Sequence, residues 1–111
     1  MKRKSLLEWE AEKFYRGVVF RFKAKYPFEE VVDFMAIEDI DAPLRLKSVC
    51  STGFHAGQTE LAFPEEAKHS DGGVSVLWLK ENWEKWVYPE CGIEEVKFIE
   101  NYPSSFGWVT S

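Results

Sequence analysis

Apolar and polar positions alternate along much of the chain, most clearly over residues 14–22, where Phe14, Val18, Phe20 and Phe22 are interleaved with Tyr15, Val19 and Arg21. A period of two marks a half-buried strand, and the glycine at position 17 suggests a bulge in it. Pro27, between Tyr26 and Phe28, is expected to end that strand, since proline lacks a backbone donor and restricts the residue before it. Residues 31–37 read Val-Val-Asp-Phe-Met-Ala-Ile, apolar on both faces except at Asp33, as a central strand covered on both sides requires. After the turn-forming Ile40-Asp41-Ala42-Pro43, Leu44 and Leu46 alternate with Arg45 and Lys47 in a third strand. Residues 51–57 form a loop, and Thr59, Leu61 and Phe63 are expected on the returning strand of a hairpin.

The period then changes. Val76, Leu79, Trp83, Trp86 and Val87 recur at helical spacing, which predicts an amphipathic helix over about 75–87, stopped by Pro89. Ser5 and Glu8 have capping-box spacing for a short first helix carrying Leu6, Leu7, Trp9 and Phe14, although Trp9, Ala11 and Lys13 also alternate as a strand would. Residues 96–99 are β-prone and precede Pro103. Four strands, a helix and a last strand predict an α+β fold, mainly antiparallel sheet, with the helix packed on one face through its Trp-rich stripe. One domain over 1–111 is expected, with a core over about 9–102 and a tail at 103–111.

Composition supports this picture and narrows the function. The 111 residues are 45% hydrophobic and 16% aromatic, including five Trp and nine Phe, enough apolar material to oppose chain entropy and to set disorder aside. A net charge of -5 argues against nonspecific nucleic-acid binding and suits a basic protein partner. The basic start Met1-Lys2-Arg3-Lys4 is followed only by Leu6 and Leu7 before Glu8, Glu10 and Glu12, so no export signal is expected. No apolar run approaches the roughly 20 residues of a membrane span, and the expected location is cytoplasmic. Cys50 and Cys91 are then expected to be buried thiols.

Motifs for catalysis are missing: the chain has no phosphate-binding glycine loop, no Cys-x-x-Cys pair and no His-Glu-x-x-His. Its two histidines, His55 and His69, fall in loops, and no metal or cofactor is expected. The chain is therefore expected not to be an enzyme. An alternative is a small hydrolase in which Cys50, His55 and Asp33 form a nucleophile, base and orienting carboxylate. The adjacent acids Glu29-Glu30 and Glu94-Glu95 are expected on solvated faces. Glu38, Asp39 and Asp41, with Glu65 and Glu66, concentrate negative charge that could attract a basic partner. Trp78 lies off the helix stripe, so it is either core in a second layer or an exposed interface anchor. Phe106 and Trp108 in the tail pose the same choice.

Several strings together carry a likeness to a known family. Phe14-Tyr15-Arg16-Gly17 leading into Val18-Val19-Phe20-Arg21, then Ala24-Lys25-Tyr26-Pro27-Phe28-Glu29-Glu30, resemble the front half of the immunity protein 45 family of bacterial polymorphic toxin systems. Gly53-Phe54-His55-Ala56-Gly57, and Trp78-Leu79 with Asn82-Trp83 and Trp86-Val87-Tyr88-Pro89, continue the likeness over roughly 9–102. The resemblance implies a small cytoplasmic antidote that binds a cognate toxin domain, with no catalytic residues of its own. A cytosolic adaptor or subunit with some other partner would have the same composition.

Overall fold

The computed structural model describes residues 4–26 and 28–101; Pro27 and the tail with Phe106 and Trp108 lie outside them. The strands are Lys4–Ser5 (β1), Lys13–Phe14 (β2), Val19–Lys23 (β3), Val31–Glu38 (β4), Leu46–Cys50 (β5), Thr59–Ala62 (β6), Val74–Ser75 (β7) and Lys97–Ile99 (β8), with the helix Val76–Asn82 (α1) between the last two. Six strands form one antiparallel sheet in the order β1-β8-β3-β4-β5-β6, and β2 pairs with β7 in a separate ribbon. The fold is α+β, mainly antiparallel sheet with its helix packed on one face, as the hydrophobic pattern predicts.

The packing follows from which side chains share a face. Phe20 lies opposite Phe34 and Phe98, and Phe34 lies opposite Cys50, so these residues stand on one side of the sheet with Phe22, Val32, Ala36 and Leu46. All are buried, and the Trp83 ring meets Phe20 at 5.7 Å and Phe22 at 5.3 Å. Such edge-to-face pairs suit the ring quadrupoles. Phe14, carried over this face by the ribbon, adds contacts with Trp9, Phe20 and Phe63.

β4 is central, as expected, but its cover is uneven. Val32, Phe34 and Ala36 are buried, whereas Val31 on the opposite face is exposed and Met35 and Ile37 are half-buried. Asp33 on that second face is shielded by Arg21, directly opposite it on β3. Gly17 is not a bulge within the strand. It sits at φ +99° in the turn before β3, where its N–H donates to the Ala36 carbonyl at 2.7 Å. The third strand begins at Leu46, because Leu44 and Arg45 belong to the turn: Arg45 has φ +62° and its carbonyl accepts from Asp39.

The expected N-terminal helix is a single 3-10 turn, Leu6–Glu8, closed by the Ser5–Glu8 capping box. It stops because Trp9 is extended and because Lys80 of α1 takes the carbonyls of Leu7 and Trp9 at 3.0 and 2.7 Å. Phe14 therefore lies on β2 and not on this helix. Ser5→Ala is expected to cost about 1 kcal/mol in urea unfolding at neutral pH. Hydrogen bonds from the Ser5 backbone and hydroxyl hold the Glu8 carboxyl below its ordinary value of 4.5. Its contribution to stability is thus complete above pH 4.5 and is lost as pH falls through the lower folded value. The stability difference between wild type and Glu8→Gln should accordingly shrink on acidification below that point; a gap that widens would contradict the cap.

Ser75 caps α1, accepting from the Trp78 N–H at 3.1 Å. The predicted helix continues to Val87, but Trp83–Val87 is a π turn, with the Tyr88 N–H donating to the Trp83 carbonyl at 3.0 Å. Bonds of this longer reach widen the turn. Trp86 is thereby swung off the stripe and placed beside Trp78, at a ring separation of 5.8 Å. The consequence is an exchange of roles: Trp78 is only 9% exposed, while the stripe residue Trp86 is 36% exposed.

Candidate partner-binding surface

Antiparallel pairing brings the acidic residues together. Glu38 pairs with Leu46 and Lys47 with Ala62, so the end of β4, the start of β5 and the end of β6 lie at one end of the sheet. Glu38, Asp39 and Asp41 are there, and so are Glu65 and Glu66, in the 3-10 turn Glu65–Ala67 that follows β6. Cations are interleaved with them. Arg16 donates to Glu38 at 2.9 Å and Lys47 lies 2.9 Å from Asp39. The Lys47 ammonium, and then the Asp41 backbone N–H, hold the Asp39 carboxyl below the usual carboxylate range. Arg45 and Leu44 line a groove of about 620 Å³ beside Tyr15, Arg16 and Glu38, and a smaller one beside Glu65 and Lys68. This end is a mixed-charge surface, in which Asp41, Glu65 and Glu66 are exposed.

Trp78, sixth of the residues expected to meet a partner, is buried against Trp86. Among the described residues neither its indole N–H nor that of Trp83 has a hydrogen-bond partner. The exposed aromatic here is Trp86, in the π turn Trp83–Val87, while Leu77 is exposed near the start of α1.

Cys50, His55 and Asp33 do not assemble into a catalytic relay. Cys50 lies opposite Phe34 and points into the core, where its thiol donates to the Thr52 carbonyl at 3.2 Å. Asp33, next to Phe34 along β4, faces the other side of the sheet and is gripped by Arg21 Nε and Nη2 at 2.6 and 2.9 Å. The His55 ring lies at the sheet end against Phe28, with Nδ1 at 3.2 Å from Gln58. A sheet separates the thiol from the carboxylate, so the hydrolase arrangement is not formed. Both cysteines are buried and free, and burial pushes the Cys91 thiol up. Groups of His, Cys, Asp and Glu that could hold a metal ion are not found among the described residues. No helix of the described residues is long and apolar enough to cross a membrane.

The opposite end of the sheet holds what the hydrophobic pattern did not single out. There the β3–β4 connection, closed by the Phe28 N–H donating to Lys25 at 2.8 Å, meets the β5–β6 loop. Phe54 is 88% exposed and Tyr26 95% exposed on these two loops. Phe54 sits in the 3-10 turn Gly53–His55, and its N–H donates to a Glu29 carboxylate oxygen at 3.2 Å. Gly53 has φ +69°, and a Cβ there would fall on that carboxylate. A large aromatic flanked by glycines in Gly53-Phe54-His55-Ala56-Gly57 was the available signal; period counting passes over it because loops carry no period.

Comparison with known proteins adds one finding: the family profile described as Immunity protein 45 matches residues 6–98. No curated protein and no solved structure matches the chain.

Proposed function

The chain belongs to the Immunity protein 45 family, and we propose that it binds a cognate bacterial toxin domain in the cytoplasm and neutralises it by occupying its surface. The observation that carries this reading is the extent of the match, which covers nearly the whole described domain. The absence of an assembled relay at Cys50, His55 and Asp33 agrees with inhibition by contact instead of chemistry. Charge adds a route to fast encounter. Asp41, Glu65 and Glu66 remain exposed at one end of an acidic protein, and they would draw in a basic toxin at low ionic strength.

The direct test reads the gene immediately upstream, which is expected to encode a large protein ending in a toxin domain, and co-expresses that domain with this chain. Cells making that domain alone should stop growing, and cells also making this chain should grow normally. Equal killing in both strains, at matched protein levels and with no complex in a pull-down, would reject the reading.

A further inference from the structure

Resting on that functional reading, we propose that the chain grips its toxin with the Phe54–Tyr26 tip of the sheet, the aromatic side chains entering an apolar cleft with a basic rim. Phe14, Phe20, Phe22, Phe34, Phe63 and Phe98 are all buried, so the fold has room and use for phenyl rings. Phe54 and Tyr26 are held outside it. Such protruding aromatics are the residue type that dominates binding energy at protein interfaces.

The tip is also built in advance. Besides the Glu29 bond, the Ala56 N–H donates to Gly53 at 3.1 Å, Gln58 to His55 at 3.1 Å and Gly57 to Cys50 at 2.7 Å. The His55 ring fills the space between Phe28, 5.1 Å away, and Phe54, 5.6 Å away. A loop ordered this thoroughly gives up little conformational freedom on binding, which is how a small contact gains affinity.

Charge around the tip selects the kind of occupant. Glu29 and Glu30 are exposed, Glu60 stands near His55, and Lys25 lies 3.0 Å from Glu90, while Lys23 is exposed at the end of β3. An acidic rim is repelled by anionic lipid headgroups, and two copies meeting tip to tip would bring like charges together. A protein cleft lined by basic residues satisfies both the rings and the carboxylates.

The experiment measures association and dissociation rates for the upstream-encoded toxin domain against immobilised full-length wild type, Phe54→Ala, Tyr26→Ala and the Glu65→Lys/Glu66→Lys pair. Phe54→Ala is expected to raise the dissociation rate by about tenfold or more with association within about twofold. Tyr26→Ala should act in the same direction, whereas the Glu65/Glu66 reversal should slow association at low salt. Both aromatic variants should stay close to the wild-type urea midpoint, because both rings are almost wholly exposed. Wild type that binds, with Phe54→Ala and Tyr26→Ala dissociating no faster, would overturn the tip as the grip. Wild type that fails to bind would overturn the functional reading itself. Self-association in light scattering that disappears in Phe54→Ala, with toxin binding intact, would assign the tip to a second copy and likewise overturn the proposal.

Discussion

Trp83→Ala is expected to remove about 3–5 kcal/mol of stability, the cost of deleting a large buried aromatic. Its indole is almost completely enclosed and makes edge-on contacts with Phe20 and Phe22, joining the π turn after the helix to β3, near the middle of the sheet. A domain of this size has only about 5–15 kcal/mol in total, so the variant should lose a large share of it. Its melting temperature should fall by at least about 10 °C. Trp83→Phe is the informative companion. It keeps a ring against Phe20 and Phe22 and removes an indole N–H that is buried without a hydrogen-bond partner among the described residues. That variant should lose much less than Trp83→Ala in urea unfolding. If the two are equally destabilised, the ring contacts are not what holds the helix down.

Arg21→Met is expected to cost about 3 kcal/mol, because it takes the guanidinium away from a carboxylate shut off from water. Asp33 is 1% exposed, and it receives both arms of Arg21 across the β3–β4 pair. The Arg21 side chain is itself 40% exposed, which places the cost at the low end for a broken buried pair. Asp33→Asn should be milder, at about 1–2 kcal/mol, since the guanidinium it leaves behind reaches solvent. Replacing both residues by apolar ones of similar size, as in Arg21→Met with Asp33→Leu, should recover part of the loss. A double-mutant cycle in urea separates the outcomes: a coupling near zero would show that the two side chains stabilise the sheet independently.

Much of the architecture was legible before any coordinates. The alternation that places Phe20 and Phe22 inward, the hairpin joining residues 46–50 to 59–62, and the start of the helix near Ser75 all appear where the pattern puts them. Family likeness was legible too, in strings over roughly 9–102 against a match over 6–98. The two-residue strands β1, β2 and β7 were not, because a period cannot be counted over two positions. Burial of Trp78 is one of the two places the sequence allows it, but the exposure of Trp86 is not readable from the stripe, which assumes a regular helix, and one π turn changes the rotation of every residue after it. At the surface, the charge run at 38–41 was readable, but its pairing with Arg16 and Lys47 was not.

What the sequence determined by itself was therefore local: strand and helix periods, the capping residues, the excess of acid, and the idiosyncratic strings that mark the family. Only the tertiary structure decided that β8 enters between β1 and β3, that Arg21 meets Asp33, that Cys50 and Asp33 face opposite ways, and that Phe54 and Tyr26 stay outside the core. The division has one physical cause. Periods and caps arise from groups within a turn or two of each other, whereas register, burial and ion pairing arise from groups far apart in the chain that meet only when the sheet closes.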